Sequence, residues 1–174
     1  MGLAEELSYT IAPPNVIQRS VKAIVSTRPG SRVLSWVLPP LDRTLTRVSE
    51  GRTSAPKLLV GVPVLTLTST GRRSGLPRET QLVGIPVGGT LAVLGTNFAR
   101  AETPAWVHNL EADPRATVSH RGTTVYVMAR PASEQERTDV LAASASVYSG
   151  YLKYLERISG RDVRIFVLER PPSE

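Results

Sequence analysis

Short apolar runs separated by turn residues fill the chain from Lys57 onward, and this pattern constrains the fold more than any other feature. Gly88-Gly89 is a two-residue hairpin turn between two of the runs. Helical patterns interrupt the runs at only two places, without a regular β-α-β alternation. We therefore expect a mainly β (α+β) fold, a small and mostly antiparallel barrel, rather than a doubly wound sheet. The six predicted strands are Val62–Thr70, Thr80–Val87, Leu91–Thr96, Thr117–Ser119, Thr123–Arg130 and Val163–Leu168.

The N-terminal third has helical rather than strand patterns. We predict two parts: residues 1–55, a tail followed by short amphipathic basic helices, and residues 56–174, the barrel. Met1–Pro14 shows no periodicity, so we expect a loose tail. Between Asn15 and Lys57, eight Lys or Arg residues stand against two acidic residues, a net charge equal to the +6 of the whole chain. Two interpretations stay open: these helices pack on the barrel, or they lie on an anionic membrane surface.

The composition excludes several kinds of site. The chain has no cysteine, which excludes disulfides, thiol catalysis and iron–sulfur clusters. We expect structural roles for both histidines, His108 and His120, and no metal site. The positive charge favours an anionic partner, but the basic residues are not interleaved with exposed aromatics, which argues against nucleic acid. Without a signal-peptide pattern or a long apolar run, we expect a cytoplasmic protein, with peripheral binding to the inner face of the membrane as an open alternative.

A turn with three arginines lies between the first two predicted strands. It spans Thr68–Thr80 and reads T-S-T-G-R-R-S-G-L-P-R-E-T, with Arg72, Arg73 and Arg78 close together. The turn can form an anion receptor, because a guanidinium presents a planar fork to phosphate or carboxylate and a glycine-containing turn frees backbone N–H groups. A solvated basic turn that binds nothing agrees with the composition equally well.

Several stretches, in their order and spacing, resemble the deazaflavin-dependent nitroreductase family, the coenzyme F420-dependent oxidoreductases with an FMN-binding-like split β-barrel. These stretches are Leu65–Gly75 with Pro77-Arg78, Pro104-Ala105-Trp106 with His108-Asn109-Leu110, Ala112, Asp113-Pro114, the series Tyr148, Tyr151 and Tyr154, and the closing Val167–Glu169. The likeness extends from Ala55 to Arg170. It implies a six-stranded antiparallel split barrel with a helical insertion before the last strand.

The resemblance also implies where the cofactor binds. F420 carries a phosphodiester and a carboxylate-rich tail, and the family grips both with a turn of the form G-R-x-[ST]-G-x-P-R. The loop after the third strand and the helix that follows would lie against the deazaflavin ring. This loop reads G-T-N-F-A-R here and departs from the Ser-Lys-Gly-Gly form of the best-known members. The implied cofactor-binding residues are Arg72, Arg73, Ser74, Gly75, Arg78, Thr96, Asn97, Arg100, Ala105 and Trp106. For Trp106, core packing is an equal alternative.

The implied reaction is hydride transfer from F420H2 to a hydrophobic electrophile, which is a quinone, a nitro compound or a conjugated enone. The family places tyrosines at the substrate mouth where Tyr148, Tyr151 and Tyr154 stand, and these would donate a proton or hydrogen bond to the developing oxyanion. Packing against the barrel is the alternative for each tyrosine. Two other functions stay open: an FMN-dependent oxidoreductase on the same barrel, and a non-catalytic protein that binds F420 or a membrane surface. A monomer and a homodimer are both compatible with a small barrel.

Overall fold

The computed structural model describes residues 2–11, 63–97, 101–147 and 162–171. Within these ranges, seven strands form one antiparallel sheet. The strands are β1 Leu65–Thr70, β2 Pro77–Leu82, β3 Ile85–Val87, β4 Thr90–Leu94, β5 Arg115–His120, β6 Thr123–Pro131 and β7 Ile165–Glu169. The helices of this part are α1 Leu3–Glu6, α2 Ala105–Ala112 and α3 Glu134–Val147.

The sheet closes on itself where its two edge strands meet. The strand order is β2-β1-β5-β6-β7-β4-β3, and the edge strands β2 and β3 are separated along the chain only by Val83 and Gly84. The predicted strand Thr80–Val87 is therefore bent in two, which explains why seven strands are present where six were predicted. A Cβ at Gly84 would lie 2.9 Å from Leu65 Cδ2, so a larger residue at this corner would displace a buried side chain of the core. The predicted antiparallel barrel is otherwise confirmed.

The turn between β3 and β4 is the predicted glycine hairpin. Gly88 and Gly89 both have left-handed backbones, with φ of 57° and 83°, and Val87 pairs with Thr90 across them. Glycine is favoured at such positions because it has no Cβ to clash in the left-handed region.

Alternate residues of the strands fill the interior of the barrel, and α2 closes one end. This end is where β1 and β4 finish and where β2, β5 and β7 begin. From α2, Trp106, Val107 and Leu110 are buried in the same cluster as the interior-facing strand residues. The rings of Trp106 and Phe166 meet edge to face with centroids 6.1 Å apart.

The N-terminal segment 2–11 closes the opposite end, so the prediction of a loose tail over Met1–Pro14 was wrong for these residues. Leu3, Leu7 and Tyr9 are buried in the barrel core. The Leu3 N–H also donates a hydrogen bond to the Gly89 carbonyl over 2.9 Å. The helical part of the segment has only four residues, too few to reveal a periodicity.

Helix α3 lies between β6 and β7 on the outside of the barrel, and it is the predicted insertion before the last strand. Val140 and Val147 of α3 pack on Ile85, Leu94 and Ile165 on the outer face of β3, β4 and β7. None of the helices in the described ranges is long and apolar enough to cross a membrane. The predicted basic helices of the N-terminal third lie outside the described residues, so the division near residue 55 stays a prediction.

Candidate functional site

The turn between β1 and β2 is held together by its own backbone. The Gly71 N–H donates to the Leu76 carbonyl over 2.8 Å, and the Gly71 carbonyl accepts from the N–H groups of Ser74 at 3.1 Å and Gly75 at 2.7 Å. Gly75 has a left-handed backbone with φ of 66°. A Cβ at Gly71 would lie 2.7 Å from Ser74 Oγ, so a larger residue would distort the turn. The glycines therefore make this arginine-bearing turn compact.

These bonds use most of the N–H groups of the turn, which corrects the expectation that several would be free for an anion. The Arg72 N–H donates to Asn109 Oδ1 over 3.1 Å, and the Leu76 N–H donates to Ser74 Oγ over 3.3 Å. Within the turn, the Arg73 N–H is the group that no residue of the described ranges accepts. An anion at this turn would therefore be bound mainly by side chains.

The Ser74 hydroxyl is one such side-chain donor. Its oxygen accepts hydrogen bonds from the Leu76 N–H and from Arg78 Nη2, each over 3.3 Å. A hydroxyl has two acceptor sites and one donor. Since both acceptor sites are used, the O–H proton is left to donate to a ligand beside the Arg78 guanidinium.

The three arginines of the turn, Arg72, Arg73 and Arg78, are exposed, and no carboxylate in the described part of the chain pairs with them. Arg78 pairs in register with the buried Ser69, whereas its neighbour Glu79 pairs with Thr68. Because successive strand residues alternate between faces, Arg78 and Glu79 lie on opposite faces of the sheet. The guanidiniums can therefore serve a phosphate or carboxylate ligand.

Helix α2 links the arginine turn to the loop after β4. Near its C-terminal end, Asn109 accepts the Arg72 N–H, and Asn109 Nδ2 donates to Ser69 Oγ over 3.3 Å. Near its N-terminal end, Val107 packs against the loop so closely that a Cβ at Gly95 would lie 2.9 Å from Val107 Cγ2. One helix thus contacts both segments that the family resemblance implies for cofactor binding.

Asn109 belongs to one of the stretches that carry the family resemblance, but the sequence predicts no role for it. It lies three residues after Trp106 and one before Leu110, on the buried side of α2. A polar side chain among buried neighbours needs hydrogen-bond partners. This position was therefore the signal that could have identified the contact, although its partners are set by the tertiary fold.

The loop after β4 contains two of the predicted ring-lining residues. Thr96 is buried, and Asn97 has a left-handed backbone with φ of 46°. Asn97 Nδ2 donates to the Glu102 carbonyl over 2.9 Å, so this side chain bridges the loop. Arg100 lies outside the described residues, and its role stays a prediction.

The two predicted residues of α2 differ in exposure. Ala105 is exposed in the first turn, so a ligand can reach it. Trp106 is only 6% exposed and packs on Phe166, and its predicted contact with the cofactor stays a prediction. The predicted catalytic residues Tyr148, Tyr151 and Tyr154 follow α3 and lie outside the described residues.

Both histidines make contacts within the fold, as expected. His108 Nδ1 lies 3.1 Å from Glu111 Oε2 on the exposed side of α2. His120 is buried, with Nδ1 2.9 Å from the Val64 carbonyl. Across the described ranges, no three His, Asp or Glu side chains stand close enough together to hold a metal ion.

A cluster of one arginine and two glutamates lies away from the arginine turn, at the start of α3. Arg130 donates to both carboxylate oxygens of Glu136, at 2.7 and 2.6 Å, and to Glu169 Oε1 at 2.6 Å. The Arg130 guanidinium lowers the pKa of Glu136 to about 2, and the two carboxylates raise the pKa of Arg130. This cluster connects α3 to β6 and β7, so we assign it to the fold rather than to the site.

The donors at the arginine turn fit the anionic part of F420. Its phosphodiester and tail carboxylates accept hydrogen bonds from guanidinium and hydroxyl groups. The turn presents Arg72, Arg73 and Arg78, the Ser74 O–H and the Arg73 N–H. These groups lie at the barrel end where α2 also positions the loop after β4.

Known proteins identify both the family and the fold of this chain. The sequence profile of the F420H(2)-dependent quinone reductase family matches residues 42–170. The structure of an F420-H2 Dependent Reductase (FDR-A) is 24% identical, with a TM-score of 0.56 over 62% of this chain and 94% of that chain. A structure described as a domain-swapped dimer is 23% identical, with a TM-score of 0.59 over 73% of this chain and 95% of that chain.

At these identities the structural likeness establishes the fold, and it confirms the predicted split barrel. The family match establishes more, because it includes every strand of the described ranges, the arginine turn and α2. It confirms the resemblance read from the sequence, the enzyme class and the cofactor. The chain therefore belongs to the F420H(2)-dependent quinone reductase family, whose members are oxidoreductases that use coenzyme F420.

Proposed function

We propose that this F420H2-dependent reductase transfers a hydride to a hydrophobic quinone. The observation that carries the proposal is the arginine turn, which presents three exposed guanidiniums beside the Ser74 hydroxyl at one end of the barrel. The family's name supports a quinone as the acceptor. Nitro compounds and conjugated enones are electrophiles of similar character, and we propose them as slower acceptors.

F420H2 supplies the hydride when it is bound, and the residues of this chain bind and orient it. We propose that Arg72, Arg73, Arg78 and Ser74 hold the phosphate and the tail, with Gly75 keeping the turn in shape. The Arg73 N–H adds a backbone donor. Charge-assisted hydrogen bonds of this kind are stronger than neutral ones and fix orientation as well as affinity.

We propose that the deazaflavin ring lies against the loop after β4 and the start of α2. Thr96, Asn97, Arg100 and Ala105 would line this part of the site. The support comes from the contact between Gly95 and Val107, which holds the loop against the helix. Because the same helix contacts the arginine turn through Asn109, the ring and the phosphate would be positioned by one rigid element.

We propose that Tyr148, Tyr151 and Tyr154 face the acceptor. Hydride addition to a quinone develops negative charge on its oxygen, and a tyrosine O–H can donate a hydrogen bond or a proton there. The spacing of three residues supports a shared helical face. The support for these roles comes from the sequence resemblance.

The test is a fluorescence titration of the purified protein with F420 and, in parallel, with FMN. We expect selective binding of F420, followed by oxidation of F420H2 that is fastest with a menaquinone analogue and slower with a nitroaromatic or an enone. Selective binding of FMN would overturn the cofactor assignment at the site. Binding of F420 without turnover of any acceptor would favour a non-catalytic F420-binding protein, and binding of neither would mean that the arginine turn is a surface feature.

We also propose that the protein forms a homodimer. A structure with the same fold is described as a domain-swapped dimer, which supports this assembly. Light scattering across a range of concentrations would measure the mass of the particle. A monomer mass at every concentration would contradict the proposal.

A second candidate function is attachment to an anionic membrane through the basic segment Asn15–Lys57, and the observation that favours it is its charge. Removing the whole N-terminal third would not test this, because Leu3, Leu7 and Tyr9 belong to the barrel core. The better variant replaces Arg and Lys by Gln within the segment alone. We expect it to lose salt-sensitive binding to phosphatidylglycerol vesicles, whereas unchanged binding would rule the hypothesis out.

A further inference from the structure

We propose that Asn109 is a positioning residue that sets the shape of the anion-binding turn. This inference rests on the proposed function of the turn, and it assigns a role to a residue outside the proposed set of phosphate and ring contacts. Asn109 is 7% exposed and lies in α2. Its two hydrogen bonds, to the Arg72 N–H and to Ser69 Oγ, reach residues on either side of Gly71.

The contact acts on a single peptide plane. The Gly71 carbonyl and the Arg72 N–H belong to the same peptide group and point in opposite directions, because the peptide bond is planar and trans. The Gly71 carbonyl accepts from the Ser74 and Gly75 N–H groups inside the turn. Asn109 Oδ1 accepts the Arg72 N–H on the other side. Both ends of the plane are therefore fixed, and the peptide cannot rotate without breaking one of these bonds.

The orientation of this peptide decides what the turn presents to a ligand. With the Arg72 N–H directed at Asn109, the following Arg73 N–H stays uncommitted among the described residues. The same peptide sets the direction in which the Arg72 side chain leaves the turn. Because Arg72 itself is exposed, water can replace Asn109 as the acceptor of its N–H. Loss of the contact would therefore loosen the turn more than it would destabilise the fold.

Ser69 anchors the amide of Asn109 from the other side. Ser69 is 2% exposed, and its hydroxyl oxygen accepts a hydrogen bond from Asn109 Nδ2. This bond fixes which way the amide faces, so that its oxygen meets the turn. Ser69, Asn109 and the Arg72 N–H thus form one chain of hydrogen bonds from the end of β1 through α2 to the turn.

The test compares two ligands in Asn109→Ala. One is F420, and the other is its riboflavin-level deazaflavin fragment, which has the same ring without the phosphate and the tail. We expect the affinity for F420 to fall about tenfold, as for loss of one orienting hydrogen bond near a charged site, with less than about a twofold change for the fragment. In steady-state assays, KM for F420H2 should rise while kcat at saturation changes little.

Two further variants separate positioning from general damage. Ser69→Ala keeps the acceptor of the Arg72 N–H but loses the anchor of the amide. It should therefore lower the affinity for F420 selectively, by less than Asn109→Ala does. It also serves as the test if Asn109→Ala does not fold. Leu110→Val removes core packing from the same helix, and it should lower the melting temperature without changing the ratio of the two affinities.

Three results would overturn the proposal. Equal losses for F420 and the fragment would make Asn109 merely structural, and an unchanged F420 affinity would show that the turn holds its shape without it. If the wild-type protein binds F420 no more tightly than the fragment, then the anion site itself is wrong and the proposed function falls with it. That last result is distinguished from the first two because it appears before any substitution is made.

Discussion

The hydroxyl of Tyr9 accepts a hydrogen bond from the backbone N–H of Gly84 over 2.9 Å, at the corner where the barrel closes. The carbonyl oxygens of Pro63, at 2.7 Å, and Gly84, at 3.1 Å, also lie within reach of this hydroxyl, which can donate to one of them at a time. The Tyr9 ring packs edge to face on His120 with centroids 5.1 Å apart. One buried side chain therefore joins the N-terminal segment to the start of β1, the β2–β3 corner and the end of β5.

The first prediction is that Tyr9→Phe destabilises the protein by about 1–3 kcal/mol, because the buried N–H of Gly84 would lose its acceptor. Chemical denaturation would measure this change in the free energy of unfolding. Tyr126→Phe is the matched control, since Tyr126 is 76% exposed and its hydroxyl should contribute little. Affinity for F420 should be retained, because Tyr9 and the arginine turn lie at opposite ends of the barrel. Equal stability of the two variants would contradict the assigned role of Tyr9.

The second prediction concerns the pH dependence of stability at the start of α3. Arg130 lowers the pKa of Glu136 from an ordinary 4.5 to about 2 in the folded protein. A depressed folded-state pKa stabilises the fold above pH 4.5, and this contribution is lost as the pH falls from 4.5 toward 2. Glu136→Gln should therefore melt at a lower temperature than the wild type at pH 7, and the difference should close over that acidic range.

The control for this experiment is Glu134→Gln. Glu134 lies in the same first turn of α3, so it shares the favourable interaction with the helix N-terminus but not the contact with Arg130. Its effect on the melting temperature should be smaller than that of Glu136→Gln. A difference between Glu136→Gln and wild type that stays constant from pH 7 to pH 2.5 would count against the ion-pair explanation.

The local patterns of the sequence predicted most of the barrel. Apolar runs with strand composition gave the strands, and Gly88-Gly89 gave its hairpin, because both depend on neighbours along the chain. The break at Gly84 was missed, since the close approach of Gly84 to Leu65, nineteen positions away in sequence, exists only in the folded barrel. The burial of the N-terminal segment was missed for the same reason: Leu3, Leu7 and Tyr9 find their partners only in the closed barrel.

In the candidate site, too, residue type predicted some features and the tertiary fold decided the others. The arginines of the turn could be singled out from residue type alone, because guanidiniums are the side-chain donors that suit a phosphate or carboxylate. The hydrogen-bond partners of the N–H groups in the turn could not be predicted from the sequence, since the acceptor of the Arg72 N–H is Asn109 in a different element. The burial of Trp106 against Phe166 was likewise decided by the packing of α2 on β7.

The third prediction is that Arg78→Ala weakens F420 binding by about 10- to 100-fold, because a charge-assisted hydrogen bond to a phosphate or carboxylate is lost. Arg72→Ala and Arg73→Ala should each weaken it in the same direction. Fluorescence titration at constant ionic strength would measure the dissociation constants. Raising the salt concentration should weaken the wild type more than the Arg78 variant, since fewer charges remain to be screened.

Arg121→Ala provides the control for net charge. Arg121 is an exposed arginine followed by a glycine in the β5–β6 turn, at the opposite end of the barrel from the arginine turn. Its removal changes the total charge by the same amount but should leave F420 affinity nearly unchanged. If Arg121→Ala and Arg78→Ala weaken binding equally, the effect is long-range attraction and the turn is not the receptor.

The fourth prediction separates chemistry from cofactor binding at Tyr148, Tyr151 and Tyr154. Replacing the tyrosine that faces the acceptor by Phe should lower kcat by about 10²-fold, because the developing oxyanion loses its donor. The dissociation constant for F420 should stay within about a factor of two, since these hydroxyls are assigned to the acceptor and not to the cofactor. Tyr126→Phe, on the exposed face of β6, again serves as the control. Single-turnover oxidation of F420H2 by a menaquinone analogue would isolate the chemical step from product release. Full activity in all three single variants and in the triple variant would assign the three tyrosines to packing, and the proton would then have to come from solvent or from another residue.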